Sequence, residues 1–328
     1  MKFIIAFLLV ALTGVSAFGQ APTLRIETPD GPGLPAQLFY GNVKVKPVRI
    51  RPGTNQIITI DDKDFYVQQH YVDFLSRFPD QAGFNFWFGQ MTNCSNPPPA
   101  DLLVCSVNVS ASFFLSIEFQ NTGYLVERLY RVAFGEATKF STLGGTHNIQ
   151  VPIVRFEELM PDGRQIANGV VVGQTGWEAV LENNKQNFIT AFVQRARFLT
   201  DFPTSMSPTA FVDKLNTNAG NVLSASERTA AINLFGGAGD TSNVTARRNA
   251  VRQVAEDSDL DAAEKNKAFV LMQFMGYLRR DPDEGQDTPI GYAGYEFWLN
   301  KLNQFNGNYI EAELVKAFIT SVEYRERF

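Results

Sequence analysis

From Phe65 onwards, hydrophobic residues recur with the spacing of an α-helix. One continuous helical face is formed by positions i, i+4, i+7, i+8 and i+11, which are Val67, Tyr71, Phe74, Leu75 and Phe78. Pro79 predicts the end of this helix, because proline lacks the backbone donor and clashes with the preceding turn. Asp61 and Asp62 stand just before the helix and predict its N-cap.

The next apolar segments continue the helical pattern. The run Gly83-Phe-Asn-Phe-Trp87 predicts a short helix. Further helices are predicted over residues 101–119 and 124–135, and Gly135 ends the second of these. We therefore predict a first helical module over residues 65–135.

The pattern of the first module is repeated near the C-terminus. Residues 71–80, 83–87 and 113–119 correspond to residues 274–283, 294–298 and 318–324. The motif positions are Arg77, Pro79, Asp80, Gly83 and Trp87 in the first copy and Arg280, Pro282, Asp283, Gly294 and Trp298 in the second. We predict a related C-terminal module over residues 263–328, in which about eight residues, 284–291, are inserted between the Pro-Asp and Gly-Tyr pairs.

Residues 186–262 match the two modules less closely. Phe202-Pro203 takes the place of Phe78-Pro79, but the motif tryptophan and arginine are missing. Ser224 and Glu227 have the spacing of a capping box, which predicts the start of a helix. We interpret the segment as a degenerate middle module. The predicted fold class is therefore mainly α, with two to three repeated small helical modules.

Two segments depart from the helical pattern. Residues 20–64 contain short β-type runs separated by proline and glycine, which predict a short β-leaning N-terminal arm or a linker. Residues 136–185 begin with a Gly- and Thr-rich stretch, and we predict an irregular insertion or connector there.

The duplicated motif resembles the DUF4214 family, a helical module of unknown function in exported bacterial proteins. The resemblance covers residues 65–134 and 186–328 and is strongest over 268–328. More distantly, it is similar to the helical linker domains of phycobilisomes, which join other proteins. The resemblance implies a helical interaction module and supplies no catalytic residues. The missing tryptophan and arginine of the middle copy depart from the family pattern.

Composition and charge narrow the class of protein further. The chain has 328 residues, of which 45% are hydrophobic and 19% are charged, as in folded globular proteins. The formal net charge of -5 argues against a nucleic-acid partner, which would favour a basic surface. Most of the 28 phenylalanines are predicted to lie in the core.

Residues 1–19 have the features of a signal peptide: Lys2, an apolar run to Val15, and small residues near Ala17. We expect the protein to be exported and to be periplasmic, on the outer surface or secreted. The apolar run is too short to span a membrane, and no transmembrane segment is predicted in the mature chain.

Cys94 and Cys105 are the chain's two cysteines and lie close together in a Pro-rich insertion. In an oxidising compartment they are predicted to form a disulfide. A metal site would need more ligands than two thiols, and the two histidines, His70 and His147, lie far away in sequence.

Each motif residue can be interpreted in two ways. Arg77 and Asp80, with their equivalents Arg280 and Asp283, form either a paired polar site or a structural contact in which arginine packs on an aromatic ring or pairs with aspartate. Trp87 and Trp298 are either core anchors or exposed residues that stack on a sugar or a partner. We favour the structural reading in every case, because it explains why the set is copied.

Two acidic stretches are candidate cation ligands. Asp281, Asp283, Glu284 and Asp287 are rich in oxygen, but their spacing does not fit an EF-hand, and we favour a solvated acidic loop. Asp257, Asp259 and Asp261 suit the first turn of a helix without a metal. No metal or cofactor is predicted.

Catalytic motifs are not found in the sequence. His70 and His147 have no nucleophilic serine or cysteine beside them, and Glu157-Glu158 lacks the separation that a glycosidase needs. We therefore predict a non-catalytic interaction or adaptor protein whose partner is another envelope protein or a surface polysaccharide. The alternatives are a carbohydrate-binding or carbohydrate-active protein, which would use Trp87, Trp298 or Tyr292, and a structural spacer.

Overall fold

The computed structural model describes strand residues 24–27, 37–40 and 43–44 and the segments 49–94, 102–138, 147–284 and 291–328. The predicted signal peptide at 1–19, much of the arm, and Asp287 lie outside these residues.

Short strands occupy the predicted β-type runs near the N-terminus. Strands β1 (Leu24–Glu27), β2 (Gln37–Tyr40) and β3 (Val43–Lys44) form an antiparallel sheet in the order β1-β2-β3. Strands β4 (Arg49–Ile50) and β5 (Ile57–Ile58) form a second antiparallel pair just before the first helix.

The rest of the described chain is mainly helical, as predicted. The α-helices are α1 (Lys63–Leu75), α2 (Gln81–Thr92), α3 (Leu102–Leu115), α4 (Ile117–Asn121), α5 (Gly123–Phe134), α6 (Phe156–Ala167), α7 (Trp177–Phe192), α8 (Ala196–Asp201), α9 (Pro208–Ala219), α10 (Ala225–Asn233), α11 (Val244–Ala255), α12 (Ser258–Met272), α13 (Ala293–Gln304), α14 (Leu314–Ile319) and α15 (Val322–Arg325). A π-helix, Gln273–Leu278, continues α12, and β6 (Glu136–Ala137) pairs with β7 (Val151–Pro152).

The two motif copies fold alike. The first motif copy consists of α1 to α4, and the second motif copy consists of the π-helix and α13 to α15. The helix that opens each copy ends at a residue in the left-handed conformation, Ser76 (φ 54°) and Arg279 (φ 57°). In both, the next amide donates to a carbonyl six residues back, from Arg77 to Tyr71 and from Arg280 to Phe274, at 3.4 Å.

The start and end of α1 differ from the prediction. The helix ends at Leu75, before Pro79, so Phe78 is exposed and does not extend the buried face. Asp62 is the N-cap residue, but its side chain accepts from the amide of Thr59 at 2.7 Å, outside the helix. By contrast, Ser224 and Glu227 form the predicted capping box of α10.

The segment predicted to be irregular, 136–185, contains helix α6 and the start of α7. Pro161-Asp-Gly163 suggests a turn in the sequence, yet these residues lie inside α6. Gly163 is needed for packing: a β-carbon there would lie 3.4 Å from the α-carbon of Gly123, so α6 lies directly against α5. Helix α5 also packs against α9 and α11.

The buried apolar residues of the described segments form one continuous cluster, which extends from Ile60 to Tyr324. Helices of both motif copies contribute to it, and Phe74 of α1 contacts Tyr277 of the π-helix edge to face, with 5.0 Å between ring centroids. The two motif copies therefore share one core. We call their mutual contact region the seam.

Candidate functional site

Each motif arginine forms a bidentate ion pair with the glutamate of its own copy. Arg77 donates to both carboxylate oxygens of Glu118 at 2.7 Å, across 41 residues of sequence. Arg280 donates to both oxygens of Glu323 at 2.5 and 2.9 Å. These pairs join the end of the opening helix to α4 in one copy and to α15 in the other.

Each arginine also packs on an aromatic ring, as the structural reading of the motif expects. The guanidinium carbon of Arg77 lies 4.9 Å from the ring centroid of Tyr71, and that of Arg280 lies 5.5 Å from the ring centroid of Phe274. The expected aspartate pairing is different: Arg77 reaches Asp80 only at 3.5 Å. The main acidic partner is the glutamate of the Ser-x-Glu element, which the sequence repeats but does not assign.

Asp80 and Asp283 have different roles, although they are equivalent in sequence. Asp80 caps α2 by accepting from the amide of Gly83 at 2.9 Å. A β-carbon at Gly83 would overlap the hydroxyl of Tyr71, so glycine is required there. Asp283 instead pairs with Arg155 at 2.8 Å. The insertion before α13 separates Asp283 from that helix, which explains the difference.

The acidic residues after the second motif arginine form a buried ion-pair cluster, not a solvated loop. Asp281 accepts from the amide of Phe156 at 2.8 Å and pairs with Arg155 at 3.0 Å. Burial raises the pKa of Asp281 to about 7, although Arg155 opposes the shift. Asp283 is also buried, whereas Glu284 is exposed. The guanidinium of Arg155 binds the carboxylates that were candidate ligands for a metal cation.

The other acidic candidates also have structural contacts. Asp257 caps α12 by accepting from the amides of Asp259 and Leu260, and Asp261 pairs with Arg128. Glu158 accepts from the amide of Arg155, the residue that precedes α6, at 3.1 Å. Within the described residues, no group of three or more His, Cys, Asp or Glu side chains is suited to hold a metal ion.

The two motif tryptophans are half-buried and pack in the same way. Trp87 contacts Phe113 with 5.2 Å between ring centroids, and Trp298 contacts Phe318 at 5.7 Å. The preceding residues, Phe86 and Phe297, meet these tryptophans edge to face, and each is 57% exposed. Tyr292, in contrast, is 1% exposed and donates to the carbonyl of Pro152. It presents no stacking surface.

Helix α2 carries aromatic rings on the protein surface. Its sequence, QAGFNFWFGQMT, contains no charged residue, and Met91 is its one buried side chain. Phe84 and Phe88, one turn apart, stack with 5.7 Å between centroids. Phe84 and Trp87 are partly buried against the core and Phe88 is half-buried, whereas Phe86 is exposed, so part of each ring of this uncharged helix faces solvent.

A chain of hydrogen bonds crosses the seam through His70. The Nδ1 atom of His70 lies 2.8 Å from the carbonyl oxygen of Tyr66, so Nδ1 carries the proton. Nε2 then accepts from the hydroxyl of Ser110 at 2.7 Å, and Ser110 in turn accepts from the hydroxyl of Tyr277. Burial lowers the pKa of His70 to about 4, which keeps the ring neutral.

This arrangement brings a serine hydroxyl to a histidine, which the sequence did not reveal because 40 residues separate them. Ser110 is fully buried and His70 is 1% exposed, so no substrate reaches the pair from solvent. Asp73, three residues along α1, pairs with Arg327 at 2.8 Å. We interpret this chain of hydrogen bonds as a structural contact within the seam.

A second buried ionic cluster lies between α5 and α12. Glu264 pairs with Arg131 at 3.1 Å and with Lys267 at 3.0 Å, and Lys267 also pairs with Glu136 at 2.9 Å. Glu127 is buried beside them, and its pKa is raised well above the ordinary range, first by burial and then by the charge of Glu264. Nothing in the spacing of these residues predicts the cluster.

Cys94 and Cys105 form a disulfide, as predicted, which ties the end of α2 to the first turns of α3. Their α-carbons are 6.0 Å apart, within the usual range for a disulfide. Cys105 is 2% exposed, so the bond is anchored in the core on the α3 side.

One described stretch, Leu103–Asn121, has the length and composition of a membrane-spanning helix, with a mean hydropathy of 1.3. Half of it is buried inside the protein, and a core helix meets the same criteria. No such candidate was predicted after residue 19, because serines and asparagines interrupt the apolar run while the average hydropathy stays high.

Comparisons with known proteins identify no relative: no family model, curated protein or solved structure matches this chain. The resemblance to the DUF4214 family rests on the motif residues and stays a prediction.

Proposed function

We propose that the protein is a non-catalytic interaction protein, exported to the cell envelope or beyond it, whose motif copies present apolar helical surfaces to another envelope protein. The observation that carries the proposal is the aromatic surface of α2, on which Phe86 is exposed and the other rings are half-buried, together with the equivalent exposed Phe297 on α13. Aromatic side chains that face solvent are enriched at protein–protein interfaces.

The exposed positions recur in both motif copies. Phe86 and Phe297 are equivalent, and Ile117 and Val322, between the serine and glutamate of the Ser-x-Glu element, are 58% and 71% exposed. Other repeated residues, such as Arg77 and its equivalent, make internal contacts that explain why they are repeated. Contact with the neighbouring tryptophan explains only part of the repeated phenylalanine, because each ring stays 57% exposed. A partner that contacts both copies supplies a reason.

The experiment is affinity capture with residues 20–328 as bait and envelope proteins of the source organism as prey. A double variant, Phe86→Ser with Phe297→Ser, is expected to lose a partner that the unaltered chain captures. Phe78→Ser is the matched control, because Phe78 is 69% exposed but its equivalent in the second copy, Asp281, is buried. Capture that survives the double variant, or a strict monomer that captures nothing, contradicts the proposal.

A second candidate function is carbohydrate binding, favoured by the amide side chains beside the rings of α2. Asn85 and Gln90 are exposed on this uncharged helix, and Trp87 keeps part of its ring accessible. Aromatic rings flanked by amides suit a neutral sugar. Binding of the same bait to envelope glycans, abolished by Trp87→Ala, would favour this function. The absence of binding to both proteins and glycans would favour a structural spacer.

A further inference from the structure

Two adjoining cavities open on the seam, on the exposed side of α3. The first, of about 180 Å³, lies between Tyr66 of α1 and Ile319 of α14. The second, of about 220 Å³, lies between α3 and the turn that precedes α14. Leu103 lines both cavities, so they form one groove, which we call the seam groove. Its total size falls in the range of about 300–1,000 Å³ that is typical of small-molecule sites.

The two ends of the seam groove differ in chemistry. The second cavity is mainly apolar, with Val104, Val107 and Ile310 among its lining residues. Val104 and Ile310 are 39% and 55% exposed, so apolar side chains remain in contact with water there. The first cavity carries charged side chains, Lys63 and Arg325 among them. A ligand that fills the groove therefore needs an apolar part and a polar end.

The charges of the groove favour an anion. In the first cavity Arg325 pairs with Asp61 at 2.5 Å, and in the second Lys316 pairs with Glu313 at 3.1 Å, so both pairs are neutral. Lys63 lines the first cavity, and none of the described carboxylates lies within ion-pair distance of its ammonium group. The lining of the groove thus carries one uncompensated positive charge at its polar end.

We propose that the seam groove binds a free single-chain aliphatic carboxylate, with its chain along Val104, Val107 and Ile310 and its carboxylate beside Lys63. Burial of the chain against apolar side chains supplies most of the binding free energy, and the ammonium group selects the anionic end. This site is separate from the aromatic surface of α2, so it stands whether or not a partner binds that surface.

The test is a fluorescence titration of the full chain with cis-parinaric acid, a fluorescent aliphatic carboxylate, below its micellar concentration. The corresponding alcohol serves as the neutral ligand. Saturable binding of the acid is expected. Val104→Asp should weaken it by about tenfold or more, because the chain then meets a carboxylate. Lys63→Gln should weaken binding of the acid by about fivefold and leave binding of the alcohol unchanged.

Two matched variants control for general effects on the surface. Val180 on α7 is 39% exposed, like Val104, but does not line the groove, so Val180→Asp should leave binding unchanged. Lys265→Gln on α12 is the matched lysine control. The absence of saturable binding overturns the proposal. Binding that Val104→Asp does not weaken, or that both valine variants weaken equally, overturns it too. Equal weakening of acid and alcohol in Lys63→Gln overturns the assignment of an anion.

Discussion

At the scale of single residues, the two arginine–glutamate pairs have the same geometry but different exposure. The side chain of Glu118 is 5% exposed and that of Glu323 is 46% exposed, while their arginines are 20% and 16% exposed. A carboxylate removed from a buried pair leaves a desolvated guanidinium, whereas water replaces a carboxylate lost at the surface. The same ion pair thus occurs twice in this protein, once with a buried carboxylate and once with an exposed one.

We expect Glu118→Ala to lower the free energy of unfolding by about 3 kcal/mol, because Arg77 would remain partly buried without its partner. Glu323→Ala should cost at most about 1 kcal/mol, because Glu323 is half exposed, so water can take its place, and Arg280 also donates to the carbonyls of Asp281 and Glu284. Urea denaturation of the two variants beside the unaltered chain measures both values. Equal losses would show that exposure does not decide the contribution of these pairs.

The sequence identified the motif residues but not all of their contacts. It placed Arg77 on an aromatic ring correctly, because Tyr71 lies six positions before it on the same chain segment. It missed Glu118, which is 41 residues away, although the repetition of glutamate with arginine in both copies was the available signal. Asp281 was also misassigned, because Arg155 reaches it from a segment with no recognisable pattern.

Asp281 makes the stability of the protein depend on pH. Its pKa is raised from 3.8 to about 7 in the folded state. Its contribution to the free energy of unfolding is therefore fully present below about pH 4 and is lost as the pH rises through 7. We expect this loss to be on the order of 2 kcal/mol between pH 5 and 8. Asp281→Asn should remove that part of the dependence, measured by urea denaturation at each pH.

The comparison of the variant with the unaltered chain is needed because His70 acts in the opposite direction. Its pKa is lowered to about 4. Its contribution to the free energy of unfolding is therefore lost as the pH falls below about 6.5, the pKa of histidine in the unfolded chain. That effect is common to both proteins and cancels in the difference. Asp259→Asn, at an exposed acid of α12, is the control and should leave the pH dependence unaltered.

At the scale of elements, local signals predicted some helix boundaries and missed others: Gly135 ends α5 as predicted, whereas the end of α1 was placed too late. Ser224 and Glu227 formed the predicted cap because a capping box needs only residues within one turn. Helix α6 was missed because the Gly- and Thr-rich composition of the segment suggested irregular structure, while close packing of Gly163 on Gly123 favours a helix. The end of α1 was placed too late, because the left-handed conformation of Ser76 has no sequence signal of its own.

The disulfide between α2 and α3 should stabilise the protein by about 2–3 kcal/mol, because it closes a loop over a sequence separation of 11. We expect the Cys94→Ser and Cys105→Ser double variant to lose this amount in urea denaturation. Thiol labelling of the purified protein should find no reactive thiol without reductant. Two reactive thiols in that assay would show that the bond does not form in the cell.

At the scale of the whole molecule, the first and second motif copies share one core. The sequence left open whether the modules share a core, because periodicity marks the buried face of a helix but not the element that covers it. The seam answers this with specific contacts: Arg327, at the C-terminal end, pairs with Asp73 of α1 and donates to the carbonyl of Tyr277 at 2.5 Å. Arg279 also donates to the carbonyl of Asp73.

Asp73 is therefore expected to hold the two motif copies together. It is 2% exposed, and Asp73→Ala would leave Arg327 buried in the seam without a carboxylate, at a cost of about 3–5 kcal/mol. Asp61→Ala is the matched control, because Asp61 pairs with Arg325 across the same seam with 66% and 44% of the side chains exposed, and should cost at most about 1 kcal/mol. Hydrogen exchange should show α3 and α13 losing protection together in Asp73→Ala, since one core joins the copies. Loss of protection in the first copy alone would mean that the modules unfold independently.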